Sequence, residues 1–252
     1  MYDLFICFRK LNIFFYKYSK IFDIRYIITM STPEQTHIKH DLALIFDVET
    51  TGLIPKGEAI LELCPHVLQL SFVVFNMRTG EIEKKYNTYI NIPAKVQISS
   101  EIERITGITR AKCATGVVIT EALDALYAEY TRCHTIIAHN IEFDSKMIRI
   151  ELARNPGRKT RHLMDLLNVG YETAHGIVRY CTMNNSIELC NIVVDAVDRR
   201  GRPYQYKKFP KLAELHETLF GTIPENLHDS MVDTLACLRC YMKMAHNIEI
   251  II

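Results

Sequence analysis

The segment "LIFDVETTGL" (residues 44–53) constrains this chain more than any other stretch of its length. A nearly continuous apolar run over residues 42–48 suits the centre of a sheet covered on both faces. Yet the run delivers Asp47 and Glu49 and then breaks at Thr50, Thr51 and Gly52. Residues i and i+2 of a strand share a side, about 7 Å apart, so the two carboxylates point together. At the carboxyl end of a central strand, where α/β sheets place ligands, two such acids can reach one divalent cation. The alternative is a pair of capping or turn-forming acids at a strand exit. The hydroxyl pair and the glycine favour a ligand, because they let the backbone approach it closely.

The remaining pattern predicts a mixed α/β sheet. "HVLQLSFVVFNM" and "EIEKKYNTYINI", separated by "RTG", read as an antiparallel hairpin. Ser100 and Glu103 stand at capping-box spacing and predict a short helix. "TEALDALYAEYT" has helical periodicity, and "HTIIAHN" is a short apolar strand feeding the amphipathic "EFDSKMIRIELARN". "IELCNIVVDAVDRRGRPYQYKKF" predicts a second hairpin turning at Arg200 and Gly201. "PKLAELHETLF" is a helix with Pro210 in its first turn, and "DSMVDTLACLRCYMKMAHN" is a longer one entered through Asp229 and Ser230. With no internal repeat and no linker, one domain over residues 42–245 is expected.

Two further acids sit in circumstances like those of the first pair. Asp144 falls in the first turn of a helix just after a strand, where it either projects toward Asp47 or favourably faces the helix dipole. Asp233 lies about one turn into the last helix with His228 just before it, and His228 is either functional or a simple helix-entry residue.

Taken together, "FDVETTG", "HNIEFD" and "HDSMVDT" resemble, in order and local spacing, the three motifs of the DEDDh (DnaQ-like) 3′-5′ exonucleases, a group that includes the proofreading exonuclease of bacterial replicative polymerases. The resemblance spans residues 42 to about 245. It implies a ribonuclease H-like fold, here with an inserted β-hairpin, two Mg²⁺ or Mn²⁺ ions on Asp47, Glu49, Asp144 and Asp233, and release of nucleoside 5′-monophosphates from a 3′ end. His228 is then the group that takes a proton from the attacking water. Thr50, Thr51 and Gly52 line the terminal nucleotide, Ile105 and Thr106 of "ITGIT" flank its base, and His139, Asn140 and Phe143 support the site. The chemistry is coherent without the resemblance, because four clustered carboxylates repel unless cations neutralise them, and hard oxygen ligands suit these ions.

Composition bounds the partners. With 30 Lys and Arg against 29 Asp and Glu, net charge is +1, so nucleic acid must be met by a local patch. Residues 199–211, "RRGRPYQYKKFPK", hold six basic residues, no acids, and interleaved Tyr204, Tyr206 and Phe209. Such a hairpin either contacts an unpaired strand or is solvated with its aromatics packed beneath; "RNPGRKTR" (154–161) is a second basic stretch. The eight scattered cysteines read as reduced thiols in a cytosol-like compartment, cytoplasmic or nuclear, with "CLRC" as buried core sulfur in preference to a zinc site.

Lys, Arg or Asp interrupts every apolar run of residues 1–29, which predicts no membrane span, and "MSTPEQTHIKHD" reads as an ordinary start, so residues 1–41 are an N-terminal extension in which translation is expected to begin at Met30, the alternative being a membrane-surface or partner-binding arm. Few residues follow the last helix, which favours a free-standing exonuclease, although a polymerase or other replication partner fits the resemblance. DNA is the favoured substrate. The rivals are an RNA or oligoribonucleotide exonuclease with the same site, a non-catalytic nucleic-acid-binding module and a small-molecule phosphodiesterase.

Overall fold

The computed structural model describes residues 41–57 and 60–251, so the proposed extension and the start at Met30 lie outside the described residues except for Asp41. The apolar run forms strand β1 (Leu42–Thr50), which carries Asp47 and Glu49 as expected and includes Thr50, where the pattern predicts the break. It is followed by β2 (Val67–Asn76), β3 (Glu81–Tyr89), β4 (Thr135–Ala138) and β5 (Val178–Cys181). These make one sheet in the order β3-β2-β1-β4-β5, antiparallel from β3 to β1 and parallel from β1 to β5. β1 is therefore the central strand, paired on both edges.

The α-helices of seven or more residues among those described are α1 (Ser100–Thr106), α2 (Ile119–Tyr130), α3 (Ile141–Arg154), α4 (Val169–His175), α5 (Leu212–Phe220) and α6 (Ser230–His246). Alternation along β1 assigns each face its cover. Leu42, Leu44, Phe46 and Val48 enter a core shared with Leu123 and Leu126 of α2 and with Met147 and Ile148 of α3. Ala43 and Ile45 enter a second core with Leu215 of α5 and with Ala236, Cys237 and Cys240 of α6. Both faces being covered is why the strand reads as an unbroken apolar run. Leu44, Ile45 and Phe46 are completely buried, and each contributes about 1.5–3 kcal/mol of burial free energy. Continued by two residues, the face that carries Ala43 and Ile45 presents Asp47 and Glu49 toward α6.

A separate two-stranded ribbon, β6 (Val193–Val197) and β7 (Pro203–Lys207), forms the predicted second hairpin. Its first strand begins later than the pattern predicts: residues Ile187–Cys190 are a helical turn, closed by Asn191 in the left-handed conformation. Two helix starts also differ from expectation by one residue or more. Ser99, not Ser100, caps α1 by accepting the Ile102 amide, and the position three residues on is then Ile102, so no capping box forms. For α5 the cap position is Lys211, whose amide donates to Glu214 at 2.7 Å, and Pro210 stands just outside the helix. Both sulfurs of "CLRC" pack in the second core. No helix among the described residues is long and apolar enough to cross a membrane.

Candidate active site

The three acid-bearing segments meet at the carboxyl end of β1. Asp47 and Glu49 arrive on the strand, Asp144 on the first turn of α3, which follows β4 directly, and Asp233 on the first turn of α6. Because β4 is parallel to β1 and adjacent to it, the chain leaving β4 must start α3 beside the tip of β1. Asp47, Asp144, His228 and Asp233 line one cavity of about 530 Å³, together with His139, Asn140 and Phe143. Glu49, His228 and Asp233 offer ligand atoms all within 4.8 Å of one another.

A polar seam holds α6 in place. Asp229 caps the helix by accepting the amides of Met231 (3.0 Å) and Val232 (3.3 Å). The Ser230 hydroxyl donates to the Asp47 carbonyl at 2.8 Å, across 183 residues of sequence. Gln69, opposite Glu49 on β2, donates to Asp229 at 3.3 Å and to Asn87 at 2.9 Å, and its carbonyl accepts from the Ser230 amide at 3.4 Å. Ser71, opposite Asp47, donates to the same Asn87 oxygen at 3.0 Å. Gln69 and Ser71 are fully buried. They went unnoticed in the sequence, although two polar residues at i and i+2 within the otherwise apolar "VLQLSFVVF" mark the same face that carries the acids.

His228 sits exposed with φ of 72°, a left-handed conformation that costs a non-glycine residue about 1–2 kcal/mol. Its amide points at both Asp233 carboxylate oxygens, at 3.4 and 3.3 Å, which offsets part of that strain.

Electrostatics describe a cluster short of positive charge. Burial, then the neighbouring Asp233 and Asp229, push the Asp47 carboxyl far above its ordinary range, against a hydrogen bond from Ser230. Burial followed by Asp47 raises Asp144, while the Val48 amide opposes the shift. Burial and then Asp47 and Asp233 push Glu49 up to about 9. Burial raises Asp233 to about 7, against the His228 amide and with the help of Asp229. Among the described residues, one oxygen each of Asp47 and Asp144 is buried without any hydrogen-bond partner. Buried carboxylate oxygens normally have partners. An all-oxygen donor set, repulsive when ionised and with orphan oxygens, fits hard divalent cations.

The other predicted residues divide. His139 bridges Thr182 (Nδ1, 3.0 Å) and the Pro210 carbonyl (Nε2, 3.1 Å), and burial lowers its pKa to about 4, so it is a neutral brace between the ends of β4 and β5 and the entry to α5. Thr50 is occupied locally, donating to the Gly52 carbonyl at 2.7 Å. A register shift after Glu49 turns the strand exit, and Thr51 then exchanges hydrogen bonds with His66, both 2.9 Å. Thr51 and Gly52 line a neighbouring cavity of about 450 Å³ instead of the acid-lined one, and Leu53, exposed between the two, belongs to both. Ile105 and Thr106 lie on α1 and line neither cavity, and the Thr106 hydroxyl is spent on Ile102 and Ile108. Phe209, Pro210 and Lys211, not predicted as site residues, complete the wall of the acid-lined cavity.

Comparison with known proteins gives the family and the fold. The family described as Exonuclease (RNase_T) matches residues 44–241, which contain every acid above. The chain belongs to the RNase_T exonuclease family. This is the DEDDh group of 3′-5′ exonucleases, whose members are typically metal-dependent. A DNA polymerase III PolC-type of Caldanaerobacter subterraneus is 27% identical over 106 residues, 42% of this chain and 7% of that protein. The 3′-5′ exonuclease DinG of Bacillus subtilis is 31% identical over 117 residues, 43% of this chain and 10% of that protein. The chain thus spans a tenth or less of the length of these relatives.

Among solved structures, a 3′-exonuclease described in 3′-end-specific recognition of histone mRNA stem-loop superposes with a TM-score of 0.58 at 14% identity, covering 83% of each chain. E. coli Exonuclease I in complex with a dA16 oligonucleotide gives 0.58 at 17% identity, covering 82% of this chain and 42% of that one. These structures share the α/β fold of a five-stranded mixed sheet flanked by helices.

Proposed function

We propose that this chain is a metal-dependent 3′-5′ exonuclease that hydrolyses the terminal phosphodiester of a nucleic acid, DNA preferred, and releases nucleoside 5′-monophosphates. The observation that carries the reading is the convergence of Asp47, Asp144 and Asp233, from three distant segments, on one cavity in which two carboxylate oxygens lack partners. Asp47, Glu49, Asp144 and Asp233 are the residues to hold two Mg²⁺ or Mn²⁺ ions. When bound, such ions neutralise the acids and stabilise the charge that develops on the scissile phosphate.

The protein's own groups do the rest. His228, exposed and fixed by its amide to Asp233, accepts the proton of the attacking water. The water oxygen bonds to phosphorus, the bond to the 3′ oxygen of the penultimate sugar breaks, and that oxygen takes a proton from solvent water to become the new 3′-hydroxyl while His228 returns its proton to solvent. Phe143, Leu53 and Phe209 supply apolar wall beside the acids, and His139 holds Pro210 against the strand end. Thr51 and Gly52, which line the adjoining cavity, are the proposed contacts of the terminal nucleotide.

DNA is favoured because the relatives that share sequence are named as DNA polymerase III and DinG exonuclease, which also supports a replication partner. The superposition on a 3′-exonuclease of histone mRNA favours RNA as the second reading. An intracellular setting, cytoplasmic or nuclear, fits the seven free thiols of the described residues. The deciding experiment incubates the purified chain with 5′-labelled single-stranded, duplex and mismatched DNA and with matched RNA, in Mg²⁺ or in chelator. A ladder shortening from the 3′ end only with Mg²⁺ is expected; no shortening of any substrate would sink the proposal.

A further inference from the structure

The β6–β7 ribbon is a two-stranded sheet with neither face covered. Strand pairing places Tyr204 opposite Ala196 and Tyr206 opposite Val194, so both tyrosines stand on one face over two smaller apolar residues. Their ring centroids are 5.9 Å apart with planes inclined by 32°, which makes a continuous aromatic surface. Tyr204 and Tyr206 are 49% and 47% exposed, and Phe209, just beyond β7, is 59% exposed. These rings are not packed beneath the hairpin. A two-stranded ribbon is marginal by itself, and exposed apolar surface of this kind marks an interaction site.

Charge and continuity identify the occupant. Residues 199–211 carry six basic side chains and no acid in a chain of net charge +1. Neighbouring acids neutralise some of them: Asp198 pairs with Arg202, Glu188 with Lys207 and Glu214 with Lys208. Arg199 and Arg200 have no ion-pair partner among the described residues, and Lys211 makes no direct side-chain ion pair although its charge helps to lower the Glu214 carboxyl. Lys208 extends the ladder through its amide to Ile192 at 3.0 Å, and the next three residues, Phe209, Pro210 and Lys211, form the wall of the acid-lined cavity. A strand bearing exposed, mutually tilted rings and unpaired arginines thus leads, residue by residue, into the wall of the cavity proposed to receive the 3′ end. Aromatics stack on unpaired bases of any sequence, and cations follow the phosphates between them.

We infer that this ribbon is a strand-holding platform that grips the unpaired nucleotides upstream of the scissile bond, with Tyr204 and Tyr206 stacking on bases and Arg199, Arg200 and Lys211 meeting phosphates. The inference rests on the exonuclease reading for the direction of the strand. It confers preference for single strands of several nucleotides over dinucleotides and over fully paired ends, whose bases are not free to stack.

The test separates binding from cutting. Fluorescence anisotropy with a labelled oligothymidylate of about twelve nucleotides, in chelator, compares the full chain with its Tyr204→Ala/Tyr206→Ala and Arg199→Ala/Arg200→Ala variants. Loss of the two rings is expected to weaken binding about tenfold or more. Loss of the two arginines should lower the slope of log affinity against log salt by about 1.4. In Mg²⁺, the ring variant's defect should appear as a raised KM that grows with substrate length from the dinucleotide upward. Circular dichroism and melting of each variant establish that the fold is kept. Unchanged affinity and unchanged salt slope in both variants overturn the platform and leave the ribbon to a protein partner. If the chain binds strands through the ribbon yet shortens none in Mg²⁺, the exonuclease reading fails while the platform stands.

Discussion

The tip of β1 and the β6–β7 ribbon are opposites in construction. The first is buried on both faces, paired on both edges and tied by Ser230 and Gln69 to a helix that begins some 180 residues later, 183 by the separation of Ser230 from Asp47. The second is paired on one edge, bare on both faces and held near the body by a few surface ion pairs. Chemistry that must place four carboxylates within reach of each other requires the rigidity of the first. Contact with a flexible strand of variable sequence tolerates the adaptability of the second. Reaction and substrate choice are accordingly expected to separate by mutation.

The largest expected effect comes from the rigid region. Asp47→Asn, Asp144→Asn and Asp233→Asn should each lower the rate of Mg²⁺-dependent hydrolysis by roughly a thousandfold or more, since several kcal/mol of charge stabilisation are lost. Full activity in any of them, measured by single-turnover release of mononucleotide, would falsify the shared-cation assignment. His228→Ala is expected to slow the chemical step by roughly 10²–10⁴-fold while leaving strand affinity in chelator intact. Were affinity to fall as steeply as the rate, the proton-accepting role would be wrong.

Smaller effects sharpen the boundary between the regions. Ser230→Ala removes the hydroxyl that ties α6 to β1 and leaves the cations in place only loosely; a rate loss of roughly 10–100-fold is expected, with little change in KM. A loss confined to KM would mean that the seam does not position the acids.

Linkage to pH gives a test that needs no substrate. Glu49 and Asp233 titrate near 9 and 7 in the metal-free fold, above their ordinary values of 4.5 and 3.8, because burial and like charges disfavour ionisation. The native state therefore holds more protons than the unfolded chain, and stability falls as pH rises from about 4 through about 9. Cations relieve that penalty, so the melting temperature should rise with Mg²⁺ more at alkaline than at acidic pH, with protons released on binding. Calorimetry showing an equal rise at both would contradict the clustered-acid picture. At the low end, Tyr204→Ala/Tyr206→Ala should alter global stability by only about 0.5 kcal/mol, as expected for exposed positions; a drop of several kcal/mol in urea melts would show that the ribbon is part of the core.

The same contrast explains what could be read from the residues alone. β1 announced itself because burial on both faces forces apolar residues at every position, and the acids stood out against that run. Asp233 was legible because it follows the capping signal of Asp229 and Ser230, and Asp144 because an amphipathic pattern follows directly on a short apolar strand. β5 was not: four residues, including Arg179 and Tyr180, take strand form through pairing with β4, a partner more than forty positions away that leaves no local periodicity. The turn at Ile187–Cys190 misled because its apolar residues suit a strand equally well, and the left-handed Asn191 that ends it has no strong local signature. Gln69 and Ser71 carry no signal beyond their place in a predicted strand, since their meaning depends on Asp229 and Ser230, which only the folded chain brings near them.

The bond from the Ser230 hydroxyl to the Asp47 carbonyl has a temporal consequence for the proposed reaction. A polypeptide emerging from the ribosome acquires Asp47, Glu49 and Asp144 long before the segment that brings His228 and Asp233. Until that helix docks, the growing molecule is an incomplete cutter, so competence for the proposed reaction requires α6 and does not come with the first collapse of the sheet.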